Sequence, residues 1–287
     1  MKYKNPKLIA EIGCNHKGEM DIAHEMIQTA AKFCKVDVVK FQKRCNKELL
    51  TNKQFNSPHP NPHNSYGSTY GEHREFLEFD INQHFQLKEW CEEYGVIYST
   101  SVWDITSAIE ITELNPNLIK VPSACNLNWD MLGYLCENYA GEIHLSLGMT
   151  SKPEIKQIIT FFRERKRTQN LILYSCTSGY PVPFKDLCLL EISKLINEFG
   201  DEVKAIGFSG HHNGIASDIA ALTLGAEWIE RHYTLNRTWK GTDHAASLEP
   251  YGLHKLARDL QNTYLALNFK SIDILDIEQE QRDKLKF

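Results

Sequence analysis

Eight short apolar or β-branched runs recur along this sequence, and each is followed by a stretch with helical spacing. The runs are KLIAEIG (7–13), VDVVKFQ (36–42), VIYSTSV (96–102), LIKVPS (118–123), EIHLSLG (142–148), LILYSCT (171–177), AIGFSG (205–210) and WIERHYT (228–234). Between them, segments such as MDIAHEMIQTAAKFC and PEIKQIITFFRERK place apolar residues three and four positions apart, the period of an amphipathic helix. Strict alternation of strand and helix calls for a parallel sheet. A count of eight favours closure into an α/β (β/α)8 TIM barrel over an open sheet. The 287 residues match one such barrel and leave little for a second domain. The barrel is expected over 1–270, with its eighth helix at 250–269 and a helical or frayed charged tail at 271–287.

One connection breaks the rhythm. Residues 43–81 separate the second strand from the second helix, and the middle, NSPHPNPHNSYGSTYGEHREF, is crowded with Pro, Asn, Gly and His. That composition suits an excursion of non-repetitive backbone, or alternatively a disordered insertion. Because it follows a strand, it belongs at the C-terminal face, where this fold builds its active sites.

Charged and polar residues interrupt the apolar runs. Glu11 sits in IAEIG, Lys40 and Gln42 in VVKFQ, Lys120 in LIKVPS, and Glu230, Arg231 and His232 in WIERHYT. An unpaired buried charge costs several kcal/mol, so any one of these is explained by a structural ion pair. The same habit in strand after strand, near the C-terminal ends, reads instead as one mouth holding an anionic substrate and a metal. Among the 12 histidines, His24, His84 and His254 fall on helical segments and His59 and His63 in the insertion, where core or surface roles prevail. His211 and His232, on adjacent strands, lie within reach of one divalent cation. Two protein nitrogens make a sparse set that substrate and water would complete, which suits a Lewis-acid site.

Composition removes other classes. With 32 basic against 37 acidic residues the net charge is −5, which gives no field for nucleic acid or an anionic membrane. No apolar run approaches the ~20 residues of a bilayer span, and the apolar run in MKYKNPKLIAEIG is too short to be expected of a signal peptide. The 8 cysteines show no C-x-x-C spacing, so reduced thiols in a cytoplasm are expected. Trp103, Trp129 and Trp228 read as packing residues. Cys176 reads as a buried small hydrophobe, and the basic run at 163–167 as a solvated face.

The blocks IAEIGCNHKG, VVKFQ, STS, IKVPSA, LSLGM, SCTSGYPVPFKD, GFSGHH, GAEWIERHYT and KGTDHAASLEP occur in that order. This series resembles the catalytic barrel of the sialic acid (N-acetylneuraminate) synthase family, which condenses phosphoenolpyruvate (PEP) with an amino-sugar aldose. The resemblance implies a divalent cation, Mn2+ or Mg2+ first and Co2+, Fe2+ or Zn2+ as alternatives, held by His211 and His232. It implies that Lys40, Thr100, Lys120, Ser123, Ser146 and Ser209 hold PEP, and that Glu11 stands beside the reacting carbon. Gln42, Tyr180 and Asp243 would face the acceptor sugar, and Lys40, Lys120, Glu11 and Asp243 would serve catalysis. A cytoplasmic homodimer acting on small molecules is the corresponding expectation.

Departures from the family pattern fall on the sugar side. The usual G-S-G-E reads Pro122-Ser123-Ala124-Cys125, S-D-H reads Ser209-Gly210-His211, and the asparagine of C-T-N is Ser178. The sequence also stops where members begin an antifreeze-like domain that contacts the sugar. A different acceptor is therefore expected, with new contacts from Arg44, His73 and Arg74 in the insertion. A smaller or phosphorylated aldose, as in octulosonate and heptulosonate synthases, is one alternative, with Lys43, Arg44, Arg74 and Arg237 available for a second phosphate. A Schiff-base aldolase using Lys40 or Lys120 is another. A non-catalytic sugar-binding relic is the third.

Overall fold

The computed structural model describes residues 3–286. Eight parallel strands close into a barrel in sequence order, so that β8 pairs with β1. They are β1 (Lys7–Gly13), β2 (Val38–Lys43), β3 (Ile97–Val102), β4 (Leu118–Val121), β5 (Glu142–Ser146), β6 (Leu171–Cys176), β7 (Ala205–Gly210) and β8 (Trp228–His232). Every strand run read from the sequence is present, with ends shifted by no more than about two residues.

The helices are α1 (Met20–Thr29), the short α2 (Asn46–Leu49), α3 (Asn52–Phe55) and α4 (Tyr70–Phe76), then α5 (Ile81–Tyr94), α6 (Ile105–Leu114), α7 (Trp129–Asn138), α8 (Lys152–Glu164), α9 (Leu190–Phe199), α10 (Ala216–Thr223), α11 (Pro250–Ala266) and α12 (Asp276–Leu285). The larger apolar core lies between the outer face of the strands and these helices. Ala10, Phe41, Val121, Leu173 and Phe208 from the sheet meet Met26, Leu87, Ile111, Leu135 and Leu256 from the ring. The barrel's own interior is plugged below by Ile9, Val38, Leu118, Ile172, Tyr174 and Ala205. No helix among the described residues is long and apolar enough to cross a membrane.

The long β2–α5 connection is neither disordered nor free of repetitive structure. It carries α2, α3, α4 and a 3-10 turn at Pro62–Asn64. Two capping boxes explain why such short helices form. Thr51 with Gln54 starts α3, and Thr69 with Glu72 starts α4, each pair satisfying backbone N–H groups reciprocally. The segment is clamped to the barrel at both ends. Asp104, the N-cap of α6, accepts from Cys45 N at 2.7 Å, and Glu78 accepts from Arg44 N at 3.1 Å while pairing with the Arg44 guanidinium. Across the mouth, Tyr66 Oη donates to Lys240 O, which joins the insertion to the loop after β8. Gly18 sits at φ +76° against the Phe76 carbonyl, leaving no room for a Cβ.

Candidate active site

Side chains alternate across a strand, and that period decides which polar residues enter the barrel. Glu11, Lys40, Lys120, Ser146, Ser209, Glu230 and His232 all lie on the inner face near the C-terminal ends, and all line one cavity of about 500 Å3. Gln42, Ser123, Tyr180, His211 and Asp243 line it too.

Thr100 does not. It shares the outer face of β3 with Tyr98 and Val102, buried under the helices, and its hydroxyl has no partner among the described residues. Its neighbour Ser101 faces inward and accepts from Lys40 Nζ at 2.8 Å. A one-residue displacement on a strand exchanges the two faces, so Thr100 is corrected to Ser101 as the polar group of β3. Arg231 is corrected in the same way. It points outward, where it pairs with Asp218 and donates to the carbonyls of His212 (2.6 Å) and Gly214 (2.8 Å). It is a structural ion pair, not part of the mouth.

The floor is a chain of alternating charges. Lys40 pairs closely with Glu11 and lies 3.8 Å from Glu230, and Lys120 lies 3.1 Å from the same Glu230 oxygen. Ser209 Oγ donates to the other Glu230 oxygen at 3.0 Å, and Gln42 Nε2 donates to Glu11 at 3.2 Å. The two carboxylates are unequal. Burial pushes Glu11 up to about 7, with Glu230 adding to the shift and Lys40 opposing it. Burial acts on Glu230 as well, but Lys120 and Lys40 together outweigh it and hold that carboxyl well below its usual range. Burial lowers Lys120, against the pull of Glu230. Two carboxylates with separated proton affinities, one of them near neutrality, are what acid–base work at a single centre requires. Glu230 was visible as a strand charge. Its place among the site residues is fixed only by sharing the face of His232, two positions on.

His211 and His232 stand above this floor with ring centroids 5.4 Å apart, and Tyr180 packs edge-on against His211 at 4.5 Å. Burial lowers them to about 3 and about 4, so both imidazoles are neutral, the form that binds a metal. His232 Nδ1 is buried without a partner among the described residues, whereas His211 Nδ1 faces the Thr177 carbonyl at 3.3 Å and leaves Nε2 for a ligand. These two residues fit a divalent cation. Among the described residues no cluster of three or more His, Cys, Asp or Glu side chains is arranged to hold one, so water and substrate oxygens would fill the remaining positions. Cys176 Sγ lies 4.0 Å from His211 Nδ1, a histidine neighbour the sequence did not disclose, and burial raises the thiol so that it stays protonated.

The insertion builds one wall of the cavity from Arg44, His59, Tyr70, His73, Arg74 and Leu77, with Trp103 after β3 behind them. His59, set aside as a bystander in the sequence, and Trp103, read as packing, both belong to this wall. The two guanidiniums lie 5.8 and 5.7 Å from the Trp103 ring. Arg44 is committed to Glu78 and also reaches Cys14 Sγ at 2.8 Å. Arg74 donates to Tyr70 Oη at 3.0 Å and leaves Nε buried with no partner among the described residues. Burial, the neighbouring His59 and the cations Arg44 and Arg74 push His73 down to about 4, so it is neutral. Lys43 points away to Glu110 (2.9 Å), and Arg237 caps the Ala245 carbonyl. Neither reaches the cavity.

Known proteins resemble this chain in sequence and fold. A model of the NeuB family matches residues 26–271. The human and mouse N-acetylneuraminate-9-phosphate synthases are each 37% identical to this chain over 97% of its length and 76% of theirs. The N,N'-diacetyllegionaminic acid synthase of Campylobacter jejuni is 30% identical over 92% of this chain and 78% of its own. Among solved structures, N-acetylneuraminic acid (sialic acid) synthetase from Leptospira borgpetersenii, in complex with citrate, superposes with a TM-score of 0.81 at 28% identity, covering 98% of this chain and 93% of that one.

Proposed function

This chain belongs to the NeuB family of enzymes that condense PEP with a sugar, and we propose that the cavity residues described above carry that condensation on an aldose bearing a phosphate. The observation that carries the reading is the buried Glu11–Lys40–Glu230–Lys120 chain beneath two neutral histidines. Such a floor suits a trianion whose phosphate must leave and whose central carbon must take up water.

Lys120, Lys40, Ser209, Ser146 and Ser123 orient PEP by charge-assisted hydrogen bonds to its phosphate and carboxylate. The PEP methylene attacks the aldehyde carbon of the open-chain sugar, forming the new carbon–carbon bond as the carbonyl π bond breaks. The aldehyde oxygen takes a proton from solvent to become a hydroxyl, and a cationic centre is left at the former enol carbon. Glu11 accepts a proton from the water that adds there. The resulting tetrahedral centre collapses by carbon–oxygen cleavage: its hydroxyl proton passes to the departing phosphate, which is expelled toward Lys120, and a 2-keto-3-deoxy sugar acid is left. His211 and His232 would hold Mn2+ or Mg2+, which supplies Lewis-acid polarisation of the aldehyde oxygen when bound. Gln42, Tyr180 and Asp243 line the acceptor side.

The acceptor's phosphate is assigned to Arg74 and Arg44. A half-buried Arg74 guanidinium whose Nε has no partner among the described residues is expensive to keep beside a second cation, and a dianionic ester would offset both charges, with Arg44 still held by Glu78. The 8 free cysteines fit a reducing compartment, the cytoplasm.

Phosphate release from PEP, measured with Mn2+ across a panel of aldoses and their 6-phosphates, tests the whole reading. Turnover is expected with an aldose 6-phosphate and is expected to vanish in excess chelator. Borohydride trapping with pyruvate should give no adduct, because Lys40 and Lys120 are both engaged with carboxylates. An adduct at either lysine would replace this mechanism with a Schiff-base one.

A further inference from the structure

Beneath Lys120 lies a buried polar chain that the condensation itself does not use. Tyr174, on the inner face of β6, is fully buried, and the Lys120 ammonium sits over its ring, 3.3 Å from the centroid. Tyr174 Oη meets His144 Nδ1 at 2.7 Å, and His144 Nε2 meets Glu142 at 3.3 Å. His144 is itself fully buried and is held edge-on by Trp228 at 4.6 Å. On the opposite side Gly207 makes the space, since a Cβ there would lie 2.7 Å from the Tyr174 ring. The hydroxyl is thus satisfied by His144, and the ring is seated against the neighbouring strand at Gly207.

From this arrangement we infer that Tyr174 is a positioning residue: its ring face is the platform that holds the Lys120 ammonium up toward the phosphate of PEP. A lysine stem is long and flexible, and Glu230 alone would let the ammonium settle sideways and downward into the barrel. The negative face of an aromatic ring attracts an ammonium most strongly where water is excluded, as it is here. With the ring below and Glu230 beside it, the remaining N–H bonds of Lys120 are directed at the cavity. His144 satisfies the buried hydroxyl and Glu142 holds His144, while the close-packed barrel interior seats the ring itself.

The inference rests on the PEP reading, and two readouts separate the two. Isothermal titration of PEP into the full-length protein comes first, then steady-state kinetics with PEP and the accepted aldose varied in turn. Y174L is expected to weaken PEP binding and kcat/KM for PEP by about tenfold, with the KM for the aldose unchanged, whereas Y174F stays within about twofold of the unaltered protein. Folding of each variant is checked by circular dichroism and thermal midpoint. Pentafluorophenylalanine at position 174 keeps the shape of the ring and reverses its quadrupole, so it should reproduce the Y174L defect even if Y174L itself does not fold. A fluorinated variant or a folded Y174L that binds PEP as the unaltered protein does would overturn the inference. So would a Y174F as weak as Y174L, since the effect would then belong to the hydroxyl. Absence of PEP binding by the unaltered protein would overturn the functional reading and remove this inference with it.

Discussion

Lys40 stands between two carboxylates that do different things. Glu230 is held ionised by two lysines and a serine, so it serves as a fixed countercharge, while Glu11 is left near neutrality by burial. Replacing Glu11 with Gln should leave the floor packed and the Gln42 contact in place. PEP would then bind at least as tightly, because Lys40 loses a competing partner. Turnover should nonetheless fall by roughly 10²–10⁴, the range of a lost general base. Titration of PEP beside single-turnover phosphate release separates the two effects, and an unimpaired kcat in E11Q would remove Glu11 from the chemistry. A second expectation concerns the histidines. His232→Ala should weaken Mn2+ binding, read by calorimetry without substrate, by more than the ~10–100-fold that loss of an outer-sphere partner costs. Most of these side chains were legible before the structure because a charge in a β-branched run is conspicuous. Ser101 was not, since a serine next to a threonine on the same strand carries no signal about which of the two faces inward.

Elements place these residues, and the insertion places the ones proposed to choose the acceptor. Helix α4 is only seven residues long, too short for propensity to hold it alone, and it depends on the Thr69–Glu72 capping box and the Arg44–Glu78 clip. Thr69→Ala should cost about 1 kcal/mol where that cap is lost. Because α4 carries His73 and Arg74, the loss should surface as a raised KM for the acceptor with the KM for PEP unchanged. Equal effects on both substrates would show that the insertion does not act on the acceptor alone. The eight strands were readable because their period and spacing repeat around the barrel. The short helices of the insertion were not, because four to seven residues give no periodicity to detect and their start signals, T-x-x-Q and T-x-x-E, are buried in a stretch rich in breakers. The same composition that marks a loop also supplies caps, and only the tertiary clamps at Cys45 and Glu78 decide between the outcomes.

At the scale of the whole molecule, the barrel carries several buried neutral histidines away from the proposed metal pair, and they set its response to acid. Burial is the first cause in each case, lowering His16 and His84 to about 3 and His144 to about 4. His84 is representative. It lies wholly buried against Tyr98, with Nδ1 2.7 Å from the hydroxyl. In the unfolded chain these rings take up protons near pH 6.5, while in the folded barrel they do not until far lower. Between those values the unfolded state binds more protons, so stability is lost as pH falls. Glu142 acts in the same direction below about 4.5, because its hydrogen bond to His144 and the nearby Lys204 hold it at about 2. Glu11 acts the other way, since its raised value makes the folded state bind the extra proton between about 4.5 and 7. One opposing carboxyl does not balance three histidines, so the barrel should lose stability steadily from pH 6.5 toward 4. Each histidine contributes up to about 1.4 kcal/mol per pH unit over that window. Urea unfolding at a series of pH values measures the slope. His84→Gln should reduce it by one proton while leaving PEP turnover at neutral pH in place, because His84 lies behind the sheet and not in the cavity. A slope unchanged in that variant would mean that His84 is already protonated in the folded barrel, and that its place against Tyr98 holds a charge instead of a neutral ring.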